Sequence, residues 1–316
     1  MFAQETAASA LARPLSAAEQ QWLAAHSLIG IVVRLTPAMA ALANAESLRV
    51  ANSGAQLRHP FLNVCVDADA LAYKRTSAPA PISSEVLQQD TPEAVREAVQ
   101  RQLSAGVDRN ETFARLHLMT TPDASAHLFL LCDHLALDAK SLVIWLKDIM
   151  SALGAPGQGD GAEQSNADAH EFVDWAGRAP ADLMAQIPSF APSAPSVMLD
   201  TLAPTAEELV GRNVADVCVH VDPPVFAALK RVTKEVKGTT LNTPLSAAFA
   251  AATADVARRQ RPGQVVPPLT VQGACAVEVR QQCQPPLPAD YMNNSAGIAC
   301  ISALFEEGAD LWDVGE

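Results

Sequence analysis

The amino-acid sequence predicts an α/β (α+β) protein of two units, each a mixed sheet flanked by helices, and three observations carry that expectation. Apolar, β-branched runs alternate with segments of helical spacing up to about residue 153, and again after residue 213. A stretch rich in Pro, Ala, Gly and Ser separates the two halves. At 316 residues, 49% of them hydrophobic, the chain is too long for one small core and rich enough to bury a large one or two.

The elements follow in order. "RPLSAAEQQWL" offers Ser16 as a helix N-cap, with Glu19 three residues on to complete a capping box. "LIGIVVRL" (28–35) reads as a buried strand. Pro37 opens an alanine-rich helix running to about residue 50, and "FLNVCVDAD" (61–69) is another strand. "PEAVREAVQRQL" (92–103) has helical spacing and an acidic first turn. "AHLFLLC" (126–132) is a buried strand, and "AKSLVIWLKDIMSAL" (139–153) an amphipathic helix.

Beyond residue 153 the composition changes to linker. "GQGDG" there follows a helix instead of a strand and lacks GxGxxG spacing, so it reads as linker and not as a phosphate loop. Order returns with a strand at 214–221 and a helix, "PPVFAALKRVTKEVK", stopped by Gly238. Thr243 caps a second helix with Pro244 at its first position. "LTVQGACAVEVR" (269–280) and "GIACISALF" (297–305) are strands. The expected division is a first subdomain at 1–175, a linker at 176–212 and a second subdomain at 213–316.

Charge and cysteine usage exclude several function classes. A formal net charge of −13 argues against a nucleic-acid partner, which needs clustered positive charge. The six cysteines, at 65, 132, 218, 275, 283 and 300, form no CxxC pair, so a disulfide framework or zinc site is not expected and a reducing compartment is. No apolar run reaches the roughly 20 residues that span a bilayer. The N-terminus lacks the charged and apolar regions of a signal peptide, which leaves a cytoplasmic protein as the expectation.

The chemistry concentrates in "FLLCDHLALDAKSL" (129–142), where His134 and Asp138 stand four residues apart after an apolar run. One reading is structural: Asp138 caps the following helix and His134 closes a strand. The other is catalytic. A histidine between a buried strand and a helix can project into a cleft and take the proton of an alcohol or amine attacking an acyl thioester. The aspartate one turn on can hold the loop through an ion pair. No GxSxG elbow or evidently activated cysteine points to an acyl-enzyme.

"HLFLLCDHLALDAKSLVIWLKDI" resembles the HHxxxDG segment of the condensation-domain superfamily, the chloramphenicol-acetyltransferase-like acyltransferases. Four other stretches agree in kind and order: "RPLSAAEQQWL", "LRHPFL" (57–62), the helix–Gly–Thr–helix passage from Pro223, and "LTVQGACAVEVR". The resemblance implies a chloramphenicol-acetyltransferase-like fold of two subdomains with a tunnel between them. It implies His134 as general base and Asp138 as structural anchor, paired with an arginine that is either Arg280 or Arg58. The first motif histidine is Asp133 here, a carboxylate that would favour the protonated form of His134. The motif glycine is Ala139, costly if that position needs a positive φ. Relatives continue beyond "FEEGADLWDVGE", so the resemblance also implies an incomplete second subdomain.

The function so implied is acyl transfer from a thioester, on CoA or an acyl carrier, to a hydroxyl or amine. Acyl-CoA or acyl-pantetheine would serve as co-substrate, with no resident cofactor and no metal. The partners would be a small-molecule acceptor and an acyl carrier protein, and the protein a monomer of secondary metabolism. The alternative is a non-catalytic or truncated relative that binds an acyl ligand or carrier partner. A trimeric acetyltransferase fits less well, because in that branch the motif lies near the C-terminus and here it precedes the midpoint.

Overall fold

A computed structural model of the chain describes residues 11–16, 19–20, 22–23, 27–76, 79–154, 222–236, 242–259 and 269–305. The expected strand at 214–221 and the linker at 176–212 lie outside these residues. Two units are present: residues 1–184 with 278–296, and residues 185–277 with 297–316. Residues 278–296 thus pack with the first unit.

The first unit is built on a four-stranded mixed sheet. Its strands are β2 (Leu28–Arg34), β5 (Ile82–Val86), β6 (Ala114–Thr120) and β7 (Ala126–Asp133) in the order β2-β7-β6-β5, with only β5–β6 parallel. β7 is central and buried along its whole length, which is why it reads as an unbroken apolar run instead of an alternating one. Helix α3 (Pro92–Ala105) covers one face, packing Val95, Ala98 and Val99 on Met119, Phe129 and Leu131. Helix α4 (Ala139–Gly154) buries Leu142, Ile144, Trp145, Ile149 and Leu153 and contacts β2 and β7. At Gly30 on β2 an added Cβ would come within 2.5 Å of the Phe129 ring, so a larger residue would have to displace that ring.

Pro37 does open a helix, but the single helix expected to about residue 50 is two: α1 (Pro37–Leu42) and α2 (Ala45–Arg58). Asn44 makes the break. Its Oδ1 accepts from the Glu46 and Ser47 amides, and Ser47 Oγ accepts from the Asn44 amide at 2.9 Å, closing a capping box. A second, antiparallel sheet has the order β1-β4-β3, from Leu11–Pro14, Ala72–Arg75 and Val64–Asp67. The segment "FLNVCVDAD" therefore divides into a short 3-10 turn (Pro60–Asn63) and β3.

Among the described residues, the second unit contributes α5 (Pro223–Arg231), extended by a π-helical turn at Val232–Val236, then α6 (Asn242–Arg259). β8 (Leu269–Glu278) and β9 (Ala296–Phe305) pair as a two-stranded sheet. The expected helices from Pro223 and Pro244 and the expected strands at 269–280 and 297–305 are present, within a few residues at their ends, while Gly238 lies outside the described residues. No helix among the described residues is long and apolar enough to cross a membrane.

Three histidine–carboxylate–arginine clusters brace the first unit. His59 Nε2 lies 2.7 Å from Asp148, with Arg58 at 3.3 Å from the same carboxylate. His117 and Arg101 share Glu85, and His127 and Arg34 share Asp90. Burial pushes Asp148 and Glu85 up, but their histidine and arginine partners outweigh it and hold both below the ordinary range. Asp90 is lowered by its bond from His127. A carboxyl depressed in the folded state stabilises above its unfolded pKa, about 4, and that contribution is lost as pH falls through the folded value. Urea midpoints should therefore hold steady from neutrality to about pH 4 as far as these carboxyls decide them, then drop. Asp148→Asn should make that drop shallower, and an unchanged slope would remove Asp148 from the account.

Candidate functional site

The end of β7 sets the candidate site. The Asp133 carbonyl accepts from the amides of Ala136 and Leu137 at 3.2 and 3.3 Å, turning the chain sharply after the strand. Asp133 Oδ1 accepts from the Leu135 amide at 2.8 Å, and the His134 amide donates to the Ser27 carbonyl at 2.8 Å. Asp138 then caps α4: its Oδ1 accepts from the Ser141 amide at 2.8 Å and from Ser141 Oγ at 2.9 Å. Ala139 opens the helix and does not have positive φ, so alanine there carries no backbone strain.

Asp138 is also half of a buried ion pair. Arg280 Nη2 donates to Asp138 Oδ1 at 2.9 Å, and Arg280 is fully buried. The same guanidinium donates to Ser141 Oγ at 3.0 Å and to the carbonyls of Asn293 at 3.0 Å and Tyr291 at 2.8 Å. The Ser295 amide donates to Asp138 Oδ2 at 3.1 Å, and Asn294 Nδ2 donates to the His134 carbonyl. The loop carrying His134 is thus tied to residues 291–295 by charge-assisted bonds that leave little room to shift.

The arginine that reaches Asp138 is Arg280; Arg58 does not. It ends α2 against Asp148, ten residues along α4 from Asp138 and so about 15 Å away at 1.5 Å per residue. Asp133 is buried, 2% exposed, and its Oδ2 accepts from Arg109 Nε. That carboxylate is committed to an ion pair and bonds no atom of His134.

His134 is partly exposed, and its Nδ1 is buried without a hydrogen-bond partner among the described residues. Its ring stacks on Trp22, with centroids 4.3 Å apart and planes 23° apart. Cys132, one residue before the motif, is no competing nucleophile: burial, then Asp133 and Asp138, push its thiol well up. Among the described residues no group of three or more His, Cys, Asp or Glu side chains is placed to hold a metal ion.

Sequence reasoning did not find Trp22, Ser141, Asn293, Asn294 or Ser295. The run "NNS" between two strands was the available signal, because three adjacent small polar residues there must find partners once buried.

No protein-family model and no curated protein matches the chain. Solved structures do, and they define its class: the chain has the condensation-domain fold, a mixed α/β arrangement of the chloramphenicol-acetyltransferase-like kind. It is similar to the first condensation domain of the CDA synthetase, with a TM-score of 0.64 at 14% identity over 97% of this chain and 72% of that one. It is similar to the epimerization domain from the third module of tyrocidine synthetase B, at 0.63 and 14% over 97% and 72%. Polyketide synthase associated protein 5 from Mycobacterium tuberculosis matches at 0.59 and 14%, over 97% and 71%.

Proposed function

We propose that the protein is an acyltransferase that moves an acyl group from a thioester to a hydroxyl or amine, with His134 as general base. The observation that carries this reading is a partly exposed imidazole, free of hydrogen bonds at Nδ1 among the described residues, on a loop locked by the Asp138–Arg280 pair. An imidazole titrates near neutrality and can take the acceptor's proton as its oxygen or nitrogen attacks the thioester carbonyl. The tetrahedral intermediate then collapses, expelling the thiolate, and the proton held at His134 can pass to that sulfur. The acyl group ends on the acceptor and no acyl-enzyme forms.

The donor is acyl-CoA or an acyl-pantetheine on a carrier protein, as co-substrate and not as a resident group. The condensation-domain fold of synthetase neighbours supports this class of chemistry and a place in secondary metabolism. A monomer working in the cytoplasm on a small-molecule acceptor completes the reading. Substituting His134→Ala should reduce thiol release from acetyl-CoA or acetyl-pantetheine, in the presence of alcohol and amine acceptors, by about 10²–10⁴-fold. Unchanged acceptor-dependent release would sink the assignment. One observation favours the second reading, a non-catalytic acyl or carrier binder: neither nearby carboxylate orients the imidazole. Binding of acetyl-CoA or acetyl-pantetheine without any turnover would establish it.

A further inference from the structure

We infer that Trp22 is the positioning residue of His134, so that a ring stack sets the plane of the imidazole in place of a hydrogen-bonded carboxylate. The inference rests on His134 being the base proposed above. A working histidine ordinarily has its second nitrogen held by a carboxylate or carbonyl, which fixes ring plane and tautomer. Here no described residue makes that bond. Nδ1 is buried and unpartnered among the described residues, Asp133 is spent on Arg109, and Asp138 on Arg280, Ser141 and Ser295. Stacked on the ring is the Trp22 indole, at 4.3 Å and nearly parallel.

A stack can only position a ring if its own carrier is rigid, and two clamps hold Trp22's segment to the His134 loop. On one side Arg109 donates from Nη1 to the Leu23 carbonyl at 2.7 Å and from Nε to Asp133, joining the residue after Trp22 to the residue before His134. On the other, the buried hydroxyl of Tyr73 lies 3.1 Å from Glu19 Oε1 and 3.3 Å from the Leu135 carbonyl. Its one proton sits between the two, three residues before Trp22 and one after His134. Glu19 is fixed in turn by Arg13 at 2.6 and 2.8 Å and by a reciprocal capping box with Ser16. The buried charged residues of this corner, Glu19, Arg109 and Asp133, all serve that registration.

The test combines nuclear magnetic resonance with turnover. With histidines isotopically labelled and the His134 signal assigned by its loss in His134→Gln, the Trp22 ring current should hold its Cε1–H resonance upfield. Trp22→Leu should move it downfield toward free histidine, and Trp22→Phe should leave it between. In thiol release from acetyl-CoA, Trp22→Leu should lower kcat by about 10–100-fold with KM little changed, and Trp22→Phe should recover most of it. A resonance unmoved in Trp22→Leu overturns the proposal, whatever the activity. So does full turnover in Trp22→Leu beside an inactive His134→Ala, which leaves the base assignment standing. Full turnover in His134→Ala removes the base assignment, and with it Trp22's role in catalysis. Should Trp22→Leu not fold, Trp22→Phe decides alone: a resonance displaced partway downfield with most of the turnover kept supports the proposal, and a resonance unmoved from the wild type overturns it.

Discussion

Replacing Arg280 by alanine is expected to lower the unfolding free energy by about 3–5 kcal/mol, the cost of leaving a buried carboxylate without its cation. Arg280 is fully buried and Asp138 5% exposed, so water cannot take over the lost contacts. The guanidinium also donates to the Tyr291 and Asn293 carbonyls, and both of those bonds would be lost with it. Arg280→Lys should recover little, because a single ammonium cannot reproduce a planar fork aimed at four acceptors. Urea unfolding with an unchanged m-value is the measurement. Arg58→Ala serves as control: that arginine's side chain is 38% exposed, and its pair with Asp148 should be worth no more than about 1 kcal/mol. Equal losses at the two arginines would contradict the assignment of Arg280 as the structural partner.

Both arginines stand in segments that sequence reasoning had singled out, yet nothing in the residue pattern decides between them. Arg280 lies 142 residues from Asp138 in the chain, and the choice depends on how the 3-10 turn Arg280–Gln282 packs in the first unit. The His134–Asp138 spacing was legible for a local reason. An apolar run too short for a helix, then a capping residue, then an amphipathic helix specifies strand, loop and helix start without knowledge of the rest. For the same reason β2, β7, α3 and α4 could be read directly.

What escaped was whatever lacked a local signature. β5, "ISSEV", is an edge strand half exposed to solvent, and its polar residues hide the alternation. β6, "ARLHLMT", buries His117 because Ser83 and Glu85 on β5 complete its hydrogen bonds, so a polar residue sits in a strand interior. Trp22 has no such signature within "RPLSAAEQQWL". Asn294 reaches the His134 carbonyl from 160 residues away. These residues acquire their meaning only from partners brought together by tertiary folding.

Position 133 shows how a departure from a motif can be absorbed. Where the resemblance calls for a histidine, this chain has a carboxylate that is 2% exposed, and Arg109 answers it across the corner that carries Trp22. Arg109→Leu is therefore expected to cost about 3–5 kcal/mol by stranding Asp133, a second large loss independent of Arg280. The double variant Arg109→Leu with Asp133→Asn removes the charge, yet keeps a side-chain oxygen for the Leu135 amide, and should recover most of that loss. Urea denaturation of the two single variants and the double separates the coupling from the individual costs. A double variant no more stable than Arg109→Leu would mean that Arg109 matters through the Leu23 carbonyl and packing, not through Asp133. If the coupling is found, the acid at 133 and the arginine at 109 are one change in two places: the pair supplies the buried charge balance of this corner, and neither can be exchanged alone.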